Sequence, residues 1–403
     1  MLVKEGSVIS FCKNNNIQKH GQPELLPFFK EEEIQEVLTF LKSNESYHVT
    51  PLLNQQHLAH ELGVAHLMVK DESYRFGLNA FKVTGGMFAV AQIIAQILRK
   101  DLSNLSFEYL RSGEVQHHLK GLTFISATDG NHGKGIAWMA NQLNIPCIIR
   151  MPIGSTEERL ASIREEKADA EITEMNYDDT VRLCAEMANQ HDYILIQDTA
   201  WEGYTDIPKW IMQGYGAIAK EITDSLTVPP THLFLQAGVG SFAGAIAAYF
   251  VNYYGPDCPK IIIVEPEKAA CYYRSFETGK MEFVGGEMRT IMAGLACGEP
   301  NIAAYEVLSE YAYGALETTD DITALGMRVY GNPVGTDSRV IAGESGAVTL
   351  GAVMEICRND KYCSIRQEMA LDENSRVLLI NSEGDTDKNS YKDIVWYGKH
   401  PVR

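Results

Sequence analysis

Three short stretches of this chain carry residue types that could do chemistry. Lys82 stands between Phe81 and Val83, at the head of the apolar run NAFKVTGGMFAVAQIIAQIL (79–98). Lysines avoid such settings unless the ammonium is used or paired. Burial disfavours the charged form, so a desolvated Lys82 would have a lowered pKa and act as a nucleophile able to form a Schiff base. The plainer reading is a stem that reaches water beside the helix start. The second stretch, SATDGNHGKG (126–135), crowds Thr128, Asp129, Asn131 and His132 among small residues. Its amides would hold a carboxylate and Asn131 would donate to a ring oxygen, unless the segment is only a structured turn. The third, AGVGSFAGA (237–245), offers Gly238, Val239, Gly240 and Ser241 between a strand and a helix. Such a turn aims free N–H groups and a helix N-terminus at an anion, although a tight turn of packing residues fits equally well. It matches neither the Walker pattern nor the dinucleotide fingerprint.

The elements that must position these residues alternate regularly. LTFISA (122–127), PCIIRMP (146–152), AEIT (170–173) and YILIQD (193–198) read as strands separated by helical stretches. After the long amphipathic stretch 208–226 the series resumes with THLFLQA (231–237), the helix 245–254, KIIIVEP (260–266) and finally SRVLLINSEGD (375–385). This pattern predicts an α/β fold of two lobes with mostly parallel sheets and a cleft between them. Ligands bind such sheets at the carboxyl ends of strands. Here those ends are SATDGN, LIQDTAWEG, LQAGVGS and LINSEGDTD.

Composition narrows the function classes. With 403 residues there is room for two real cores. The net charge of −18 argues against a nucleic-acid or anionic-membrane binder. No apolar run is long enough for a membrane span or a signal peptide, so a cytoplasmic protein is expected. The eight cysteines form no C-x-x-C pair, so buried thiols are expected and no metal site; a Cys271–Cys297 bridge is the alternative. Trp138, Trp201, Trp210 and Trp396 read as packing residues.

Taken together, the order and spacing of Lys82, G-N-H-G (130–133) and the Gly238–Ser241 loop resemble the fold type II pyridoxal-phosphate enzymes. The resemblance runs from His48-Val49-Thr50-Pro51-Leu52 to the Asn381–Asp387 turn. It implies that Lys82 carries pyridoxal 5'-phosphate as a Schiff base, that Gly238, Val239, Gly240 and Ser241 hold the phosphate, and that Asn131 contacts the phenolic oxygen. Ser382 or Thr386 would present a hydroxyl to the pyridine nitrogen. Residues 1–90 with 225–403 would form the large cofactor-binding domain, and 91–224 a small domain carrying the Asn131 loop. A homodimer is usual in this group. His132 would be a structural loop residue, and Glu344-Ser345-Gly346-Ala347 either a turn near the pyridine ring or a helix cap.

Departures from the group pattern sharpen the reading. Asn79-Ala80-Phe81 replaces the usual serine before the lysine, and Ala237 and Val239 stand where glycines are common. Above all, Asp129 occupies the second position of the usual S-[SA]-G-N-H motif. With QDTAWEGY (197–204), this resembles the diaminopropionate ammonia-lyases specifically. The implied reaction is α,β-elimination of 2,3-diaminopropionate, D and L, to pyruvate and two ammonia. A hydroxyl opposite the pyridine nitrogen leaves the ring a weaker electron sink, which suits direct elimination. Lys82 would be the base for the L isomer. Asp129, a carboxylate where serine racemase has a serine, would be the base for the D isomer. Thr128, Asp129 and Asp198 would face the substrate, with Asp198 holding its β-ammonium unless it caps a helix instead. The rivals are a serine/threonine dehydratase or serine racemase and, in another class, a non-catalytic α/β ligand-binding protein.

Overall fold

A computed structural model describes residue 2, residues 6–17 and residues 22–402. Its strands are β1 (Ile9–Lys13), β2 (Leu52–Asn54), β3 (His66–Asp71), β4 (Phe124–Ala127), β5 (Cys147–Met151), β6 (Asp169–Ile172), β7 (Ile194–Leu195), β8 (His232–Gln236), β9 (Lys260–Pro266), β10 (Ala312–Thr318) and β11 (Arg376–Asn381). They form two sheets. Seven strands run in the order β1-β10-β9-β8-β11-β3-β2, and four in the order β6-β5-β4-β7. The four-stranded sheet is wholly parallel. In the larger sheet only the two outer pairs, β1 with β10 and β2 with β3, are antiparallel.

The interior strands look alike because both their faces are covered. LFL of β8, III of β9 and LLI of β11 are fully buried, as continuous apolar runs in a parallel sheet should be. The alternation therefore does not form two consecutive repeats on either side of helix Asp206–Ser225. The seven-stranded sheet recruits β1, β2 and β3 from before the first series: β3 pairs with β11, β2 with β3, and β1 with β10.

Two helices set the position of Lys82. Helix Val83–Leu98 begins at Lys82 and is buried along most of its length. It lies against helix Asp206–Ser225 so closely that a Cβ on Gly214 would come 2.5 Å from the Thr84 carbonyl oxygen. Only glycine permits that approach. Phe81 is wedged against Tyr215 and Phe242, with ring centroids 4.8 and 4.4 Å away. The first helix of the chain, Glu31–Lys42, turns Ile34, Val37, Leu38 and Leu41 inward and its acidic start to solvent. Trp396 departs from expectation. It is 62% exposed at the end of helix Lys388–Val395, with the Lys392 ammonium 5.7 Å from its ring centroid. Among the described residues no helix is long and apolar enough to cross a membrane, and no cluster could hold a metal ion.

Candidate active site

The parallel strands of both sheets deliver their carboxyl ends to one cleft. Its walls include Phe81, Lys82, Asn131, Asp198, Gly238, Val239, Gly240, Ser241, Ser382 and Glu383. Four of the strand ends expected to bind ligand thus meet at one place.

At the centre is a charge cluster. The Lys82 ammonium donates to Asp198 Oδ2 at 2.9 Å and lies 3.9 Å from Asp129 Oδ1. Burial pulls the lysine's pKa down, but the two carboxylates outweigh it and hold Lys82 well above its ordinary value. This corrects the expectation of a lowered pKa: desolvation is present, and paired acids override it. For Asp198, burial alone would raise the pKa, but Lys82 and then His132 bring it down to about 2. Its other oxygen accepts from the Tyr177 hydroxyl at 3.2 Å, and Gln197 Nε2 donates to that hydroxyl at 2.8 Å. Asp198 is therefore a cleft carboxylate and not a helix cap.

The Asn131 loop is built around Thr128. Its hydroxyl accepts from Gly130 N at 2.9 Å and Gly133 N at 3.0 Å, which closes the turn onto helix Asn131–Gln142. Thr128 thus faces its own loop, while Asp129 is carried out toward Lys82. No hydrogen bond to the Asp129 carboxylate is found among the described residues, and the ideal Cβ position of Gly294 lies only 3.2 Å from its Oδ2. His132 is buried and its Nε2 bonds the Ile196 carbonyl at 2.8 Å; burial outweighs the neighbouring carboxylates and lowers its pKa. It ties the start of helix Asn131–Gln142 to the strand end at Ile196. Asn131 Nδ2 donates to Glu383 Oε2.

The glycine loop opens helix Ser241–Tyr254. Gly240 has φ +91°, and a Cβ there would strike the Tyr272 ring. The Tyr272 hydroxyl in turn donates to the Val239 carbonyl at 2.9 Å, so it braces the loop from behind. Among the described residues nothing accepts from the amides of Gly238, Val239 or Gly240, and the first turn of any helix leaves further N–H groups free. Ser241 Oγ is occupied: it donates to the Asp198 carbonyl and accepts from Asn301 Nδ2 at 2.8 Å. Ser382 is buried in the cleft wall. Thr386 is not among the walls and its hydroxyl reaches Glu383 Oε2 at 3.5 Å. Cys271 and Cys297 are free thiols; Cys271 Sγ lies 3.7 Å from the Gly238 carbonyl and 3.5 Å from Glu265.

Several residues that line the cleft have no local sequence signal. Tyr177 merely opens the helix Tyr177–His191, and Tyr215 is one aromatic on a long amphipathic helix. Glu383 is different, since an acid at a strand end inside NSEGDTD was visible. Three buried polar atoms on the cleft walls, Tyr215 OH, Gln236 Oε1 and Ser345 Oγ, lack a partner. Buried polar atoms are nearly always satisfied. Together with the free loop amides and one lysine, they fit an anionic, ring-bearing cofactor such as pyridoxal phosphate.

Comparison with known proteins agrees with that fit. Residues 44–382 match the family model described as pyridoxal-phosphate dependent enzyme. A diaminopropionate ammonia-lyase of Escherichia coli (strain K12) is 47% identical, with 94% of this chain and 95% of the relative covered. One from Salmonella typhimurium (strain LT2) is 44% identical, over 97% and 99%. A crystal structure of the Escherichia coli lyase in complex with an aminoacrylate-PLP azomethine reaction intermediate superposes with a TM-score of 0.90, at 44% identity and 98% coverage of each chain. The chain belongs to the pyridoxal-phosphate dependent enzyme family, among the diaminopropionate ammonia-lyases.

Proposed function

We propose that this protein eliminates both amino groups of 2,3-diaminopropionate, converting either enantiomer and one water to pyruvate and two ammonia. The observation that carries the reading is the ion pair of Lys82 with Asp198: the cleft contains an ionised, deeply buried carboxylate already holding an ammonium at 2.9 Å. The β-ammonium of the substrate would take that place, a charge-assisted contact that serine and threonine cannot make. The likeness to the diaminopropionate ammonia-lyases of Escherichia coli and Salmonella typhimurium points the same way.

Pyridoxal phosphate, when bound, supplies the electron sink for the pair left at the α-carbon. Lys82 would hold it covalently. The free amides of Gly238, Val239 and Gly240, with the Ser241 amide at the helix start, would hold its phosphate. Asn131 would reach the phenolic oxygen. Ser382 is the better placed of the two candidate hydroxyls for the pyridine nitrogen, since it lines the cleft and Thr386 is turned to Glu383.

The remaining work falls to side chains. Lys82 and Asp129, 3.9 Å apart in the structure, would be separate bases reaching the α-carbon from opposite faces. Lys82, once the substrate's α-amine has taken its place, would be a free amine able to take the α-proton of the L isomer, while the substrate's β-ammonium occupies Asp198. Asp129, which accepts no hydrogen bond within the described residues, takes that of the D isomer. Thr128 acts on the substrate through the loop amides it orders. The Tyr177 phenol, which burial keeps protonated, fixes the second oxygen of Asp198. The division into residues 1–90 with 225–403 and 91–224, and a cytoplasmic homodimer, are parts of the same reading that mass measurement in solution and fractionation test.

A substrate panel read by pyruvate and ammonia release tests the proposal. Both diaminopropionate isomers should turn over at least about tenfold faster than L-serine or L-threonine at equal concentration. Faster turnover of serine or threonine would assign the protein to dehydratase chemistry instead.

A further inference from the structure

Glu383 has no role in the chemistry so far, yet three parts of the site converge on it. Its side chain is buried, with 1% of the residue exposed. Oε2 accepts from Asn131 Nδ2, at the head of helix Asn131–Gln142, and from the Thr386 hydroxyl at 3.5 Å. Oε1 accepts from the Ser345 amide at 3.0 Å, in the first turn of helix Glu344–Arg358. Its backbone is paired antiparallel with Ala80, two residues before Lys82, and the neighbouring Ser382 carbonyl accepts from Phe81 N at 3.1 Å. One residue therefore ties together the Lys82 segment, the Asn131 helix and a third helix start.

We propose that Glu383 is a positioning residue that fixes the orientation of Asn131 toward the cofactor's ring oxygen. This rests on the cofactor reading given above. An asparagine amide presents either an acceptor or two donors, and nothing intrinsic selects between them. An ionised carboxylate only accepts, so the edge of Asn131 that meets Glu383 must be its NH₂ group. One N–H is then spent on Glu383, and the second is left as a donor aimed by the first. The Ser345 amide, at the start of helix Glu344–Arg358, holds the carboxylate's other oxygen. The charged groups that face it are Arg159, itself attracted by Glu383 and paired with Glu344 at 3.6 Å, and the acids Glu344, Asp129 and Asp387 around that guanidinium. Were position 383 uncharged, the Asn131 amide could turn over and present its oxygen to another oxygen.

The test is the pH midpoint of the bound chromophore's visible absorbance, with kcat and KM for both isomers measured alongside. The variants are Glu383→Gln, Asn131→Ala and the double variant, each loaded with pyridoxal phosphate. A donor on the ring oxygen stabilises negative charge there and eases loss of the adjacent Schiff-base proton. Each single variant should therefore raise the midpoint by about one unit. The double variant should raise it no further than Asn131→Ala alone, because the two residues act as one device. On both isomers kcat should fall about tenfold while KM changes less than about twofold. A wild-type midpoint in Glu383→Gln, or shifts that add in the double variant, would overturn the proposal, even if kcat fell. An unmoved midpoint in Asn131→Ala, with colour retained, would overturn it too by removing Asn131 from the ring oxygen. Should Glu383→Gln fail to fold, Glu383→Asp keeps the charge but withdraws it by one methylene, and the same midpoint decides. A wild-type protein that stays colourless with pyridoxal phosphate would instead refute the cofactor reading on which the proposal stands.

Discussion

Two of the buried charge clusters in this molecule each hold a lysine against a carboxylate, and they are finished to different degrees. Behind the cleft, Lys70 donates to Glu221 Oε2 at 2.6 Å and to the Thr50 carbonyl at 2.8 Å. Arg75 donates to both oxygens of Glu72 and both of Glu221, each at 2.8 Å, and Thr50 and Tyr47 take up what remains. Two positive and two negative side chains cancel, and each is at most 2% exposed. The cleft cluster has one lysine against Asp129 and Asp198, with Lys82 15% exposed, Asp129 unbonded and three wall atoms unsatisfied. Desolvated charges cost heavily unless fully paired. The first cluster has settled that account internally, whereas the second leaves donors and acceptors that only a ligand completes. Satisfaction, more than burial or charge, separates structure from chemistry here.

Breaking the two clusters should therefore give different symptoms. The largest effect is expected in the cleft: Lys82→Ala should lower turnover of both isomers by about 10⁴-fold and abolish borohydride fixation of pyridoxal phosphate. Covalent fixation in that variant would mean another lysine carries the cofactor.

Next in size is Glu221→Gln, which strands Lys70 and Arg75 and should cost about 3–5 kcal/mol of stability by denaturant titration. Turnover per folded molecule should change little. Against burial, which raises it, Arg75 and then Lys70 depress the Glu221 pKa from 4.5 to about 2. The sign follows from linkage: the folded value is the lower one, so this stability is full above about pH 4.5 and lost as pH falls toward 2. Wild-type protein should show that loss and Glu221→Gln much less of it. A variant as stable as wild type, with unchanged acid sensitivity, would make the satisfied cluster incidental.

The smallest effect is on specificity. Asp198→Asn should shrink the preference for diaminopropionate over serine by about tenfold, read as the ratio of kcat/KM values. An unchanged ratio would remove Asp198 from the β-ammonium.

Much of this site was legible in the residues themselves. Lys82 in an apolar helix start, the glycine-bounded Asn131 loop and the Gly238–Ser241 turn are local signals, each set by what a short segment needs to do. The sheet order was not legible as two repeats, because β3 pairs with β11 across more than three hundred residues and no local pattern records it. The same distance hid the Lys82 pKa: Asp198 enters from another strand end and reverses what burial alone predicts. Tyr177 and Tyr215 were missed for that reason, being ordinary residues that the fold brings to the cleft. Glu383 was in plain view, yet its partner Asn131 lies 252 positions away.

The claim that an acid at position 129 gives the cleft a second base is tested most directly by Asp129→Asn assayed on each enantiomer separately. The kcat/KM for D-diaminopropionate should fall by about 10²–10³-fold while that for the L isomer falls less than about tenfold. Equal loss on both isomers would contradict the account and leave Lys82 as the only base.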